Sequence, residues 1–478
     1  MCNQSVAKKC VSFNQIEEEI FRIVCGVGLE WMKEILEGID NQIMEARDKE
    51  VYSNHGFRAS HIETKMGRVN FERRQYVYKD EDDRKCYVFL LDKELELSQI
   101  GKISSALIEM IVKQVTTESF RNSANSVSEM TGIDISHGTA WSVTQKLGEK
   151  IEEDEKNKIA LFNAEKSIGE KEVPVLFEEA DGVYIKIQGK DRKANGKSRE
   201  MKVGVTYEGW EKEGEKRFKL VNKRAICTLG DSKKFKELKE STVASEYNVD
   251  EIKFRIQNGD GAAWIHDNND DTMISQLDPF HIKQALRKKI PDDGVVAKIE
   301  TMIDKRQIDE AIEFIDAMAN SILDDKQEVK LRELYTYYSS NRETMLPYRD
   351  RGINLPQLGN GLVYRNMGTM EHHICDIIAL RMKRRKGSWS IKGATNIGKI
   401  LAVKVSGNLH EIIRTKLMPQ IPEKYETIVN EVLSAGKVPA VYGKGSDGNI
   451  RHGGMPFVGM PVTNGRKAIQ NMLKYWNI

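Results

Sequence analysis

A chain of 478 residues with 31% charged side chains has room for roughly three domains. It contains no run of about 18 apolar residues, which excludes a membrane-spanning helix. A formal net charge of only +2 excludes a uniformly basic nucleic-acid binder, so any affinity for polyanions must reside in local patches.

The six cysteines (Cys2, Cys10, Cys25, Cys86, Cys227, Cys375) are scattered without CxxC pairing, which points to neither a zinc cluster nor a disulfide framework. The opening MCNQSVAKKCVSFNQ lacks the apolar centre of an export signal, so a cytoplasmic protein is expected. Over residues 15–50, Ile16, Ile20, Phe21, Val24, Leu29, Met32 and Ile35 recur at helical spacing, with Glu17 to Glu19 outside, and predict one long helix. Residues 57–91 change rhythm. Arg68 to Tyr78 is β-rich with partial alternation, Lys79 to Lys85 is a turn, and Tyr87-Val-Phe-Leu-Leu is a second strand. The resulting hairpin carries Arg68, Arg73 and Arg74, which suit either a DNA backbone or plain solvent.

From Ile100 to about Ile151 the pattern is helical again. One helix stops at Gly132, a short turn follows, and Ser136 caps the next. That is the layout of a helix-turn-helix, with Ser136, His137, Thr139 and Ser142 near the start of the second helix, where bases would be read. An ordinary helical hairpin has the same layout. Residues 151–172, rich in Glu and Lys, read as a linker helix.

Strands begin at Val173. Val173-Pro-Val-Leu-Phe leads into Glu178-Glu-Ala-Asp181-Gly-Val-Tyr-Ile; a second strand spans Met201 to Tyr207 and a third Phe218 to Thr228. Asp231 opens a helix ending near Tyr247, and a fourth strand, Ile252-Lys-Phe-Arg-Ile, runs into Asn258-Gly-Asp260. Three antiparallel-type strands, a helix and a further apolar strand is the order of ribonuclease-H-like folds. The Lys/Arg-rich loop joining the first two strands is a phosphate contact or a solvated tip. Residues 280–360 read as helical with no strand, opened by Asp278-Pro-Phe-His281 and interrupted at Pro347, Gly352 and Pro356. Beyond Glu411 come two more helices, and from Lys437 a Gly-rich basic tail.

The stretch from Val363 to Ile397 concentrates charge of both signs in sequence. Ile374, Ile377, Ile378 and Met382 give a helix one buried face, Thr369 is placed to cap it, and Glu371 falls in the first turn. The same helix ends in Arg381, Lys383, Arg384, Arg385 and Lys386, and no Asp or Glu occurs between Asp376 and Glu411. Such an order suits the helix dipole by itself. It also suits phosphate handling, with one acid for a metal and a basic run for DNA. Asp181 and Asp260 each stand in Asp-Gly, a strong hairpin-turn signal. Against the turn, Asp260 is followed by a helix-like Ala262-Ala-Trp-Ile rather than a strand, and Asp181 is preceded by two more carboxylates that need a cation nearby. Two Mg²⁺ ions about 4 Å apart can serve both oxygens in phosphodiester cleavage, and hard carboxylates are their natural holders. In that arrangement Asp181 bridges the ions, and Asp260 and Glu371 each bind one.

The segments EADGVYIKIQGK, NGDGAAWI, LDPFHIKQAL and MGTMEHHICDIIALRMKRRKGSWSIKGATNI resemble the ISLre-type bacterial insertion-sequence transposases, and more distantly the Mutator-like DDE transposases. The resemblance covers nearly the whole chain, including YVFLLD and the Gly-rich tail. It implies a ribonuclease-H-like catalytic core with a DDE triad at Asp181, Asp260 and Glu371, and an all-helical insertion between the second and third acids. Mutator-like relatives carry a Cys or Asp, two residues and then His after the second acid. Asp278 and His281 match that form, for strand positioning or as a helix-capping Asp with a packed His. The N-terminus departs from the pattern: it has no zinc-binding cluster, so recognition of DNA ends falls to the helix-turn-helix and the basic segments.

The resemblance further implies two Mg²⁺ (or Mn²⁺) ions, cleavage at transposon terminal inverted repeats, attack of the freed 3′-hydroxyl on target DNA, and self-association. Arg381, Lys383, Arg384 and Arg385 are then strand contacts. Trp389 either stacks on a flipped base or is a core tryptophan. Two other readings stand beside it: a non-catalytic DNA-binding protein on the same scaffold, and a stand-alone nuclease. The expected architecture is an α/β ribonuclease-H-like core preceded by helical, β-hairpin and helix-turn-helix regions. Its segments are 1–99 (helix and hairpin), 100–165 (helix-turn-helix), 166–275 (core, first part), 276–362 (helical insertion), 363–410 (core, second part) and 411–478 (C-terminal helices and tail).

Overall fold

The computed structural model describes residues 12–97, 102–262, 264–265, 272–417 and 421–434. In chain order these form α1 (Phe13–Ala46), β1 (Ser53–Thr64), β2 (Gly67–Lys79), β3 (Lys85–Val88), α2 (Leu90–Glu94), α3 (Ser105–Val115), α4 (Phe120–Thr131) and α5 (His137–Asn163). There follow β4 (Val175–Lys186), α6 (Gly189–Asn195), β5 (Ser198–Tyr207), β6 (Trp210–Lys212), β7 (Phe218–Leu220), β8 (Arg224–Thr228), α7 (Ser232–Glu246), β9 (Phe254–Gly259) and β10 (Met273–Leu277). The last part is helical: α8 (Pro279–Lys289), α9 (Asp293–Asp304), α10 (Ile308–Ser321), α11 (Asp325–Ser340), α12 (Met370–Ile374), a π-helix (Cys375–Lys383), α13 (Ile391–Val405), α14 (Leu409–Leu417) and α15 (Glu426–Leu433). Contacts divide the chain into two units, Met1–Ile111 with Arg121–Ser136 and Leu417–Ile478, and Val112–Phe120 with His137–Lys416. The segment expected as one helix-turn-helix region, 100–165, is therefore shared between the units. The basic tail lies outside the described residues.

In the first unit, Ser12 and Gln15 form a reciprocal capping box that starts α1. The C-terminal half of α1 lies on an antiparallel sheet ordered β1-β2-β3, burying Leu36, Ile39 and Ile43 against Ile62, Val69, Phe71, Leu91 and Tyr425. The expected two-stranded hairpin is thus three-stranded. β1 was missed because His55, Arg58, His61 and Glu63 dilute its apolar content. Phe89-Leu-Leu leaves the sheet after Val88 and turns into α2, burying Leu91 completely. Asp40 on α1 pairs with Arg74 on β2 at 2.7 Å.

The second unit is built on a five-stranded sheet of order β10-β9-β4-β5-β8. β5 runs antiparallel to both of its neighbours, β4 and β8; β9 runs parallel to β4, and β10 parallel to β9. Alternation along β4 sends Glu178 and Ala180 to one face and Phe177, Glu179 and Asp181 to the other. On the first face α7 covers the sheet: Phe235 and Leu238 pack with Ala180 and Ile226. Glu178 is buried there between Lys239 (2.7 Å) and Arg255 (2.5 Å). On the second face lie α12, the π-helix and α13. Gly398 of α13 comes so close to the sheet that an added Cβ would stand 3.0 Å from Cys227 Sγ.

The third expected strand, Phe218 to Thr228, is two: β7 pairs with β6 as a separate ribbon, and only β8 joins the main sheet. Ala262-Ala-Trp-Ile is not helical over its described positions, and β10 follows it. Helices α8 to α11 form the expected insertion with a core of their own, including Leu286, Ile299, Ile315, Leu331 and Tyr338. Among the described residues no helix is long and apolar enough to cross a membrane.

Candidate active site

Three aspartates stand at one level of three adjacent parallel strands: Asp181 within β4, Asp260 just past the end of β9 and Asp278 just past the end of β10. In the β4–β9 ladder Glu179 pairs with Asn258, and the same offset carries Asp181 to the level of Asp260, the residue just past β9. In the β9–β10 ladder Leu277 pairs with Gly259, so Asp278 stands at that level too, and its N–H donates to Gly259 O at 2.7 Å. Neither Asp-Gly is a hairpin turn. Asp181 lies inside an unbroken twelve-residue strand, and Asp260 closes a strand that leads into a parallel neighbour. Gly259 is required at this end: a Cβ there would meet Ile265 Cγ2 at 2.6 Å and Ala180 O at 3.2 Å.

His281, in the first turn of α8, points back at the cluster, with Nε2 3.4 Å from Asp181 Oδ2. Burial pulls its pKa down, but the hydrogen bond and charge of Asp181, with the charges of Asp278 and Asp260, outweigh burial and raise it. Asp278 caps α8 through Phe280 N (2.7 Å) and accepts from Asn258 Nδ2 (2.6 Å). Burial nonetheless raises its pKa. The pair thus shows the capping Asp and partly buried His of the second alternative, and His281 also faces Asp181. Asp260 Oδ1 accepts from Ala262 N (2.8 Å), and its carbonyl accepts from Tyr337 Oη (3.0 Å) on α11.

A buried polar chain behind these residues fixes the helix that carries Glu371. Gln276 Nε2 donates to Asn258 Oδ1 (3.1 Å), and Asn258 Nδ2 donates to Glu179 Oε2 (3.0 Å). Tyr207 Oη donates to Glu179 Oε1 at 2.8 Å. Glu179 also accepts from Gly368 N (3.3 Å), Thr369 N (3.0 Å) and Thr369 Oγ1 (2.5 Å). Gly368 has φ +122, which a side chain would resist, and this bend turns its N–H to Glu179. Thr369 is therefore not the side-chain cap expected of it: its hydroxyl is spent on Glu179. Burial raises the Glu179 pKa, against the lowering effect of Thr369 and Tyr207.

Glu371 lies on α12, which packs against β4 on the face that holds Asp181, but its side chain is exposed. The expected α-helix after Ile374 is a π-helix, with Ile377, Ile378 and Met382 buried as the spacing required. His373 is buried with neither ring nitrogen hydrogen-bonded. Burial, then the charges of Lys223 and His372, push its pKa down to about 3, so it is a neutral core residue.

Of the expected DNA contacts, Ser136, His137, Lys383 and Arg384 are exposed, while Thr139 and Arg381 are partly covered. The side chain of Arg385 lies outside the described residues. Trp389 is a core tryptophan rather than a stacking platform. It is 8% exposed, its Nε1 donates to Met382 O (3.0 Å), and Phe120 and the Arg381 guanidinium lie against its ring.

The donor set at the strand ends fits a hard divalent cation in kind, since carboxylate oxygens dominate it. It does not form a finished metal centre. Among the described residues no three His, Cys, Asp or Glu side chains are grouped to hold a metal ion. Asp181 spends Oδ1 on Gly182 N (2.7 Å), and Glu371 turns outward. Sequence reasoning missed Glu179, Asn258 and Tyr337. The run Glu178-Glu-Ala-Asp181 did hold the signal for the first: period-two alternation puts Glu179 on the same face as Asp181.

The chain is 24% identical over 431 residues to a protein of Streptococcus gallolyticus described as "UPF0236 protein in vanSb 3'region", covering 84% of this chain and 85% of that relative. Residues 6–416 match the uncharacterised protein family UPF0236. That match takes in Asp181, Asp260 and Asp278, α12 and the whole helical insertion, and the chain belongs to the UPF0236 family.

Proposed function

We propose that this protein is a DDE-type transposase on a ribonuclease-H-like core, cutting DNA at transposon ends and joining the freed 3′-hydroxyl to target DNA. The observation that carries the reading is the common level of Asp181 within β4 and Asp260 just past the end of the neighbouring β9, with Asp278 at the same level past β10. Three antiparallel strands, a helix and then a strand parallel to the first suit such a core, and α12 against β4 brings the Glu371 helix to the same face as Asp181. Asp181, Asp260 and Glu371 are the residues that would hold two Mg²⁺ or Mn²⁺ ions, which when bound neutralise charge on the phosphate under attack. The protein's own part is positioning. His281 orients the Asp181 carboxylate, and the Asn258–Glu179–Thr369 chain sets the start of the Glu371 helix.

The test is a nicking assay with the full chain, Mg²⁺ and DNA carrying the sequences that flank its own coding region. Asp181→Asn, Asp260→Asn and Glu371→Gln are each expected to slow cleavage on the order of 10³-fold, several kcal/mol at 1.36 per decade, with DNA affinity kept. Full cleavage by any one variant removes that residue from the site. The exposed Glu371 favours a second reading, a non-catalytic DNA-binding protein on the same scaffold. That protein would bind the same DNA and never nick it with either metal.

A further inference from the structure

Within the second unit, a cleft of about 510 Å³ opens between residues 116–119, the end of the π-helix and the last turn of α13. Three cations line it: Arg381, Arg384 and Lys404. Arg381 and Arg384 belong to the basic run that ends the π-helix, whereas Lys404 comes from the last turn of α13, so the run alone does not explain its place beside them. Lys404 stands where a lysine ordinarily serves the last carbonyls of its own helix. Here it leaves them and donates instead to Thr116 Oγ1 at 2.9 Å, whose own proton goes to Lys113 O (2.7 Å). Burial alone lowers the Lys404 pKa, with no acid opposing it. Among the described residues neither Lys404 nor Arg384 has a carboxylate within ion-pair distance.

Arg381 is held rigidly. Its Nε donates to Val115 O (2.5 Å), and its guanidinium lies 5.4 Å from the Phe120 ring centre and 5.0 Å from that of Trp389. A planar fork fixed this way loses little freedom on meeting an anion. Two acids also line the cleft, Glu118 and Asp376. Asp376 is answered by His372 at 3.0 Å and by the charge of Lys223.

We propose that this cleft seats a backbone phosphate of bound DNA, with Lys404 and Arg384 supplying charge and Arg381 a fixed fork. The inference rests on the function proposed above and adds a contact to it. Arg381 is ten positions beyond Glu371 on the same helical rod, so the phosphate held here is not the one being cut. A pocket of this size admits a nucleotide-sized group.

The experiment measures DNA binding by the full chain through fluorescence anisotropy across a salt series. It compares Lys404→Gln and Arg384→Gln with a control, Lys392→Gln, which removes a lysine paired with Glu149 outside the cleft. Each cleft variant is expected to weaken binding several-fold and to lower the slope of log K against log salt by about 1, with an unchanged melting temperature. The control is expected to do neither. Calorimetry with inorganic phosphate alone separates the two sources of phosphate. Loss of phosphate binding in the variants without loss of DNA affinity makes this a free-anion site and overturns the proposal. Wild-type binding of DNA with identical affinity and slope in both cleft variants also overturns it, and leaves the transposase reading standing. A wild-type chain that binds no DNA at all overturns both.

Discussion

Burial decides the chemistry of Cys227. It sits in β8 against α13, 2% exposed, and desolvation pushes its thiol pKa up to about 12. At pH 8 the thiolate is then about one part in 10⁴, so the group is inert although it is a free cysteine. Iodoacetamide at pH 8, followed by peptide mass spectrometry, is expected to spare Cys227 in the folded protein and to label it in urea. Reaction at the rate of the partly exposed Cys25 would contradict this burial. Single residues were also where sequence alone was least decisive. Asp181-Gly182 carries a turn signature, yet it lies mid-strand, because apolar residues on both sides extend the pairing with β5 from Phe177 to Lys186. Trp389 was legible only as one of two alternatives, and the acceptor for its indole N–H, Met382 O, lies at the end of the π-helix, which no local pattern marks.

Helices and strands were legible where one face had a clear period. The long α1, the capped α7 after Asp231 and the four insertion helices follow their apolar spacing and caps. β10 was not legible: Met273-Ile-Ser-Gln-Leu is short, and its two buried polar partners, Gln276 and Asn258, satisfy each other only once the strands pair. The π-helix was invisible for a related reason, since its apolar residues fit an α period nearly as well. α12 is short and owes its placement to Glu179, whose carboxylate collects donors from Tyr207, Asn258, Gly368 and Thr369. Glu179→Gln turns an amide toward those donors and leaves one or more unpaired, at a cost of about 1–3 kcal/mol. Hydrogen exchange of the peptide spanning 366–374 is expected to accelerate by one to two orders of magnitude. Unchanged protection there would show that α12 is held by something else.

At the scale of the whole molecule, a helical insertion separates Asp260 from Glu371 in sequence. Yet it touches the strand ends directly, because Tyr337 of α11 donates to Asp260 O. Tyr337→Phe is expected to lower Tm by roughly 2–3 °C, about 1 kcal/mol for a unit this large, and, on the function proposed above, to slow cleavage while DNA affinity holds. An unaltered melting curve would show that this bridge carries no load. The insertion also closes on itself. Leu277 N donates to Thr344 O (2.8 Å) and Tyr348 N to Gln276 Oε1 (2.9 Å), so the chain leaves the sheet and returns to it at the same strand. Such a neck makes the region an appendix in evolutionary terms: relatives can lengthen, shorten or remodel its far end, and the spacing between Asp260 and Glu371 along the chain can drift widely as long as the Tyr337 bridge is kept.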